Sequence, residues 1–296
     1  MRRTLALILI LALIGAGVFW WITRPQPLPA SALAGLSGDA ARGRLVFWAG
    51  GCASCHADKQ AEGDARLRLG GGQKLVTQFG TFAVPNISND PTYGIGKWSA
   101  LDLANAMIRG LSPTGQHLYP AFPYASYSHA SLQDVVDLRA YLATLPAVAT
   151  PSQPHDLRFP FTIRRLIGGW NWLYLRPGWV ITGPLTPEQT RGRYLAEALV
   201  HCGECHTPRN ALGAMDTARW LAGAPNPTGK GHIPNLTPAK LNWSADDLLT
   251  YLTSGTTPDF DSAGGDMGHV IDNLNQLPES DRKAIIAYLK LLPPRS

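Results

Sequence analysis

The sequence predicts a mostly α-helical chain in which one N-terminal apolar helix precedes a helical unit written twice. Three observations carry this. Residues 4–22, TLALILILALIGAGVFWWI, hold no charged side chain. The stretch RGRLVFWAGGCASCH from Arg42 returns as RGRYLAEALVHCGECH from Arg191. Later segments return in the same order: PNIS at 85–88 as PNLT at 234–237, WSALDLANAMIRG from Trp98 as WSADDLLTYLTSG from Trp243, and DVVDLRAYLATLP from Asp134 as DRKAIIAYLKLLP from Asp281. All offsets fall between 145 and 150 residues, a whole domain duplicated rather than a short solenoid repeat. The expected organisation is an N-terminal membrane segment over residues 1–30, a first domain over 36–148, a linker over 149–186 and a second domain over 187–296.

The N-terminal segment reads as a membrane anchor. Its nineteen residues, at ~1.5 Å each, span about 28 Å against a bilayer core of ~30 Å. Arg2 and Arg3 precede it, and Trp20 and Trp21 lie where an interfacial belt belongs. The alternative is a cleaved signal peptide, whose apolar core is usually shorter, ~7–15 residues, and closely followed by a small-residue cleavage site. The nearest such site, SALAG at 31–35, follows a proline-rich stretch. Either reading sends the body across the membrane. The net charge of +5 includes no Lys/Arg run of the nucleic-acid type, so no DNA or RNA partner is expected. With 45% hydrophobic and 16% charged residues, the chain is too apolar to be disordered.

Within each unit, helix signals come in order. The first helix is expected to carry the CxxCH near its end. In the second unit Thr186-Pro187 with Gln189 forms a capping box with proline at the first helical position. Ser99 with Asp102, and Ser244 with Asp247, cap a middle helix that Gly110 and Gly255 end. Val135, Leu138 and Leu142 recur at helical spacing in the last helix. Residues 149–186 belong to neither repeat. They begin as a proline linker and turn aromatic, which fits either a packed connector or a patch facing a membrane or a partner.

All four cysteines lie in two motifs, Cys52-x-x-Cys55-His56 and Cys202-x-x-Cys205-His206. A structural zinc site would bring two such pairs within ~15–20 residues of each other, whereas these are 150 apart. A thioredoxin-type site needs a βαβ context, and plain disulfides leave both histidines unexplained. Covalent c-type haem attachment accounts for every residue. Two thiols at i and i+3 face one way to bond the haem vinyl groups, and the next histidine lies under the iron.

These motifs, together with HTPRNALG at 206–213, LAGAP at 221–225, PNLTP at 234–238, WSADDL at 243–248, PDFDSAGGDMGHVIDN at 258–273, GIGKWS at 94–99 and LYPAFPYASY at 118–127, mark a resemblance. The chain resembles the dihaem class I cytochromes c, and among them the cytochrome c subunits of periplasmic alcohol, aldehyde and gluconate dehydrogenases, over roughly residues 37–295. The resemblance implies two tandem class I cytochrome c domains behind the transmembrane helix and two covalently attached haem c groups. It implies that the carbonyls of Pro85 and Pro234 accept Nδ1–H from His56 and His206. It offers Trp98, Trp243, Arg209, Tyr119 and Tyr124 as haem walls or propionate partners.

The sixth ligands are expected to differ between the halves. Met267, twelve residues after Gly255, lies in a glycine-rich stretch read as a loop and is the candidate ligand of the second iron. Twelve residues after Gly110 stands Phe122, which cannot bind iron. Met107 does not substitute, because its repeat counterpart is the apolar helix residue Leu252. For the first iron the candidates are His117, then His129, then an open position. The expected protein is a dihaem cytochrome held at the bacterial inner membrane by residues 4–22, with its haem domains in the periplasm. A periplasmic dehydrogenase subunit would donate electrons, and a quinone, an oxidase or another cytochrome would accept them. The alternative is a haem enzyme, peroxidase-like or thiosulfate-oxidising, that works at an open first haem; a gas sensor would need the same vacancy. The sequence shows no acid–base pair or nucleophile constellation, so an electron-transfer protein or a dehydrogenase subunit is expected rather than an enzyme by itself.

Overall fold

The computed structural model describes residues 1–227 and 231–295. Helix α1 (Arg2–Ile22) buries none of its residues and is long and apolar enough to cross a membrane. A proline-rich stretch leads to α2 (Ala40–Ala49), which Asp39 caps by accepting from the backbone N–H groups of Ala41 and Arg42. The motif then forms its own short helix, α3 (Cys52–His56). The first helix therefore stops before the motif instead of carrying it, because Gly50 and Gly51 intervene and Gly51 turns left-handed at φ 63°. A hairpin, β1 (Lys74–Thr77) and β2 (Gly80–Ala83), leads to α4 (Ala100–Arg109), the short α5 (Tyr124–Tyr127) and α6 (Leu132–Leu142). The expected α6 stripe of Val135, Leu138 and Leu142 is buried.

The linker is more structured than a proline connector. It contributes β3 (Asp156–Leu157), which pairs antiparallel with β2, and helix α7 (Arg165–Tyr174). The second half starts with α8 (Pro187–Arg193), whose Thr186–Gln189 capping box is formed as expected. It widens into a π-helical turn over Tyr194–Leu199. From the matching arginine to the first motif cysteine the second stretch is one residue longer than the first, Arg191 to Cys202 against Arg42 to Cys52, and a π turn accommodates one extra residue. His201, at φ 47°, occupies the position of Gly51 before α9 (Gly203–His206). A short pair, β4 (Ala224–Pro225) and β5 (His232–Ile233), precedes α10 (Ala245–Ser254), α11 (Asp266–Leu274) and α12 (Glu279–Leu291). Helices α4 and α10 both show full capping boxes and end at left-handed glycines, Gly110 and Gly255.

Two helix crossings organise the packing: α2 against α6, and α8 against α12. A Cβ placed on Gly43 would lie 1.9 Å from the Asp137 carbonyl oxygen, and one on Gly192 would lie 1.9 Å from that of Ala284. Only glycine permits so close an approach. Beside each glycine an arginine closes the crossing. Arg42 forks onto the fully buried Asp137 at 2.7 and 3.0 Å, and Arg191 forks onto Asp281 at 2.8 and 2.8 Å. Phe47, Val135 and Leu138 from the first half and Leu195, Ile285 and Leu289 from the second share one continuous apolar cluster. Replacing Gly43 by alanine is expected to force α2 and α6 apart and cost about 1–3 kcal/mol, read as a lowered urea midpoint; an unchanged midpoint would show that the crossing can relax.

Candidate haem-attachment site

In both motifs the cysteine thiols are at i and i+3 of one short helical turn. Cys55 and Cys205 are exposed, while Cys52 and Cys202 are half-buried, and all four are free thiols. Burial pushes Cys52 and Cys202 up to about 12, so both remain protonated at neutral pH. Among the described residues no group of three or more His, Cys, Asp or Glu side chains is placed to hold a metal ion.

The imidazoles are held alike. His56 Nδ1 lies 2.8 Å from the Pro85 carbonyl oxygen, and His206 Nδ1 lies 2.7 Å from that of Pro234. A carbonyl only accepts, so Nδ1 carries the hydrogen and Nε2 keeps its lone pair. Burial lowers both rings, outweighing the carbonyl bonds, and takes His56 to about 4. Neutral rings with a free Nε2 are what an iron ligand requires. One backbone hydrogen bond supports each pair: Gly71 N–H reaches His56 O and Gly223 N–H reaches His206 O, both at 2.8 Å. Thiols, tautomer and lone pair fit a covalently attached haem.

The two attachment segments lie close together. Burial raises Cys55 first and the Asp266 carboxylate second; burial and then Glu204 raise Cys205, Arg209 opposes them, and Asp266 and Cys55 add smaller increases. Tyr127 stands between the approaches, donating to Gly50 O at 2.5 Å with its ring 5.4 Å from His201. Ser126 donates to Glu204 Oε1 at 2.8 Å, and Asn273 Nδ2 donates to Ser54 Oγ at 2.8 Å while accepting from Arg66.

The distal candidates divide. Met267 is half-buried against the core, but in the first turn of α11 rather than in a loop. Gly265 ends the glycine run, and Val270, Ile271 and Leu274 give the following stretch a helical apolar face. Phe122 packs 5.5 Å from Tyr127, ring to ring. Met107 is core, as expected. His117 is buried with its Nε2 2.9 Å from Thr23 O, at the end of α1, and its Nδ1 has no partner. His129 Nε2 lies 3.0 Å from Gly178 O in the linker. The tyrosines also face the linker: Tyr119 OH donates to Phe161 O and Tyr124 OH to Asn171 Oδ1. Trp98 and Trp243 offer their carbonyls to Arg139 and Lys290, and Arg209 pairs with Glu204.

A helical chain whose CxxCH histidine is locked to a proline carbonyl defines the c-type cytochromes, and this chain belongs to the cytochrome c family. The family profile matches residues 40–146. The whole chain is 57% identical to a protein named diheme cytochrome c-type from Cereibacter sphaeroides, over 99% of both chains. It is 35% identical over 92% of its length to the fructose dehydrogenase cytochrome subunit of Gluconobacter japonicus, covering 55% of that subunit. It is 34% identical over 85% to the gluconate 2-dehydrogenase cytochrome c subunit of Pantoea cypripedii, covering 59%. The chain thus spans little more than half of those two dehydrogenase subunits. Family membership implies covalently bound haem c.

Sequence reasoning missed Glu197. Buried in the π turn just before the second motif, its carboxylate accepts from Val180 N at 2.6 Å, Ile181 N at 3.1 Å and Tyr288 OH at 2.8 Å. Trp220 Nε1 in turn donates to Tyr288 OH at 2.8 Å. The signal was one acid in the apolar run YLAEALV. Replacing Glu197 by alanine is expected to orphan three donors and cost about 3 kcal/mol, read as a lowered urea midpoint; a loss no larger than at an exposed glutamate would contradict this role.

Proposed function

We propose that this chain is a two-haem electron carrier made of two tandem cytochrome c domains, 36–148 and 187–296, joined by the linker 149–186. Cys52, Cys55 and His56 would hold one haem; Cys202, Cys205 and His206 would hold the other. The observation that carries the reading is that each imidazole is fixed by a proline carbonyl with Nε2 free beside two thiols. Each haem supplies one-electron exchange between ferric and ferrous iron. The protein keeps His56 and His206 neutral, fixes their tautomer and surrounds the attachment turns with Tyr127, Trp220 and the core. The closeness of the two turns supports transfer from one haem to the other.

Met267 is the sixth ligand of the second iron in this reading. Residues 4–22 anchor the chain in the bacterial inner membrane with the haem domains in the periplasm. The names of the relatives support a dehydrogenase as donor; a quinone, an oxidase or another cytochrome accepts. One observation favours a second reading at the first iron. His117 Nε2 is already bonded to Thr23 O. If that bond persists, the iron stays open to a small ligand, as a peroxidase-like or thiosulfate-oxidising enzyme needs. If it breaks, His117 closes the site.

Potentiometric titration is expected to show two one-electron steps, and Met267→Ala to lower only one of them, because a thioether ligand raises the potential. A shift of both steps, or of neither, would count against the assignment. Low-temperature EPR of the oxidised wild type reads the first iron directly: two low-spin signals support the closed carrier, and a high-spin signal supports the open enzyme.

A further inference from the structure

The linker helix α7 has two unlike faces. Ile167, Gly168 and Asn171 turn to the body, where Ile167 is buried and Asn171 accepts from Tyr124 OH. The opposite arc, at helical spacing, holds Arg165, Leu166, Gly169, Trp172 and Leu173. On this outer arc Trp172 is 62% exposed and Leu173 41%, the apolar part of the arc left open to the surroundings. Just before it, Phe159 is 80% exposed.

This arc abuts the end of α1. A Cβ on Gly169 would lie 3.8 Å from Thr23 Cγ2 and 4.0 Å from the Phe19 ring. Gly168, at the border of the body-facing side, is closer still: a Cβ there would lie 2.4 Å from Thr23 O. Arg165 fastens the two helices, donating to Thr23 Oγ1 at 2.8 Å and to Trp20 O at 2.5 Å, with its guanidinium 4.0 Å from the Trp20 ring. Trp20 and Trp21, themselves 66% and 63% exposed, stand where the anchor would leave the bilayer. The apolar arc of α7 is therefore continuous with the exit of the anchor. Its charge suits the same surface: residues 157–187 contain Arg158, Arg164, Arg165 and Arg176 and no Asp or Glu.

From this we infer that α7 is an interfacial helix, seated on an anionic phospholipid surface beside the exit of α1. Trp172 and Leu173 enter the acyl boundary and the exposed Arg158 and Arg176 meet lipid phosphates, with the apolar face ~5–10 Å deep as such helices lie. The inference rests on the anchor reading. Its consequence is that the haem-bearing body is held to the membrane at two adjoining points instead of swivelling on one helix.

Nitroxide accessibility on the full haem-loaded chain in nanodiscs of phosphatidylethanolamine and phosphatidylglycerol tests this. Labels are attached through Leu11→Cys in the anchor, Trp172→Cys and Leu173→Cys in α7, and Lys283→Cys on the exposed side of α12, each in a separate protein. Collision with oxygen reports lipid and collision with a nickel chelate reports water; a nitrogen baseline removes relaxation due to the haem irons. The oxygen-to-nickel ratio at 172 and 173 is expected to approach that at 11 and to stand well above that at 283. A ratio at 172 and 173 matching 283, while 11 remains lipid-like, would overturn the docking and leave the anchor intact, as would happen if this face serves a protein partner. Loss of the label at 11 from the mature chain, or a water-like ratio there, would overturn both.

Discussion

The arrangement depends on two helix crossings that only glycine allows. At Gly43 and Gly192 a helix backbone touches the backbone of its neighbour, with no room for a methyl group. The arginine before each glycine clamps an aspartate on the crossing helix. This fixes where α2 and α8 end, and so where the turns bearing Cys52 and Cys202 begin. The histidine that closes each turn then meets a proline carbonyl 28 or 29 residues onward. Ring orientation and tautomer follow from backbone geometry and not from a titratable partner.

The halves do not behave as two beads on a string. They share a core, and Ser126–Glu204, Asn273–Ser54 and Tyr127 beside His201 join them where the cysteines lie. The linker ties the assembly from outside: β3 extends the first-half sheet, Glu197 holds Val180 and Ile181, and α7 meets the end of α1. If each cysteine–histidine turn holds a haem, as proposed, this packing would keep the two groups at a set spacing, which a flexible linker would not.

What the sequence reveals is mainly local. The capping boxes at Ser99, Ser244 and Thr186 and the glycine stops at Gly110 and Gly255 depend on residues within one helix, and each is formed as read. The cysteine–histidine turns are equally local. The π turn was legible in principle from the one-residue excess before Cys202, though length alone does not say where a helix absorbs it. Met267 was read as loop because glycines flank it, but the apolar spacing of Val270, Ile271 and Leu274 prevails and starts α11 one residue earlier. His117 was beyond sequence reasoning: its partner Thr23 lies 94 residues away, and no local pattern announces that contact. For the linker the aromatic stretch offered a membrane-facing patch as one reading, but not the contact of α7 with the end of α1, whose residues lie more than 140 positions back in the chain.

The central claim is that this one chain carries two haems, one on each cysteine–histidine turn. The most direct measurement is the intact mass and pyridine haemochrome of the protein matured in a cytochrome c-producing host, beside a variant with Cys52→Ala and Cys55→Ala. The account predicts two haems per chain in the wild type and one in the variant, held at the second turn. One haem in the wild type, or two in the variant, would contradict it.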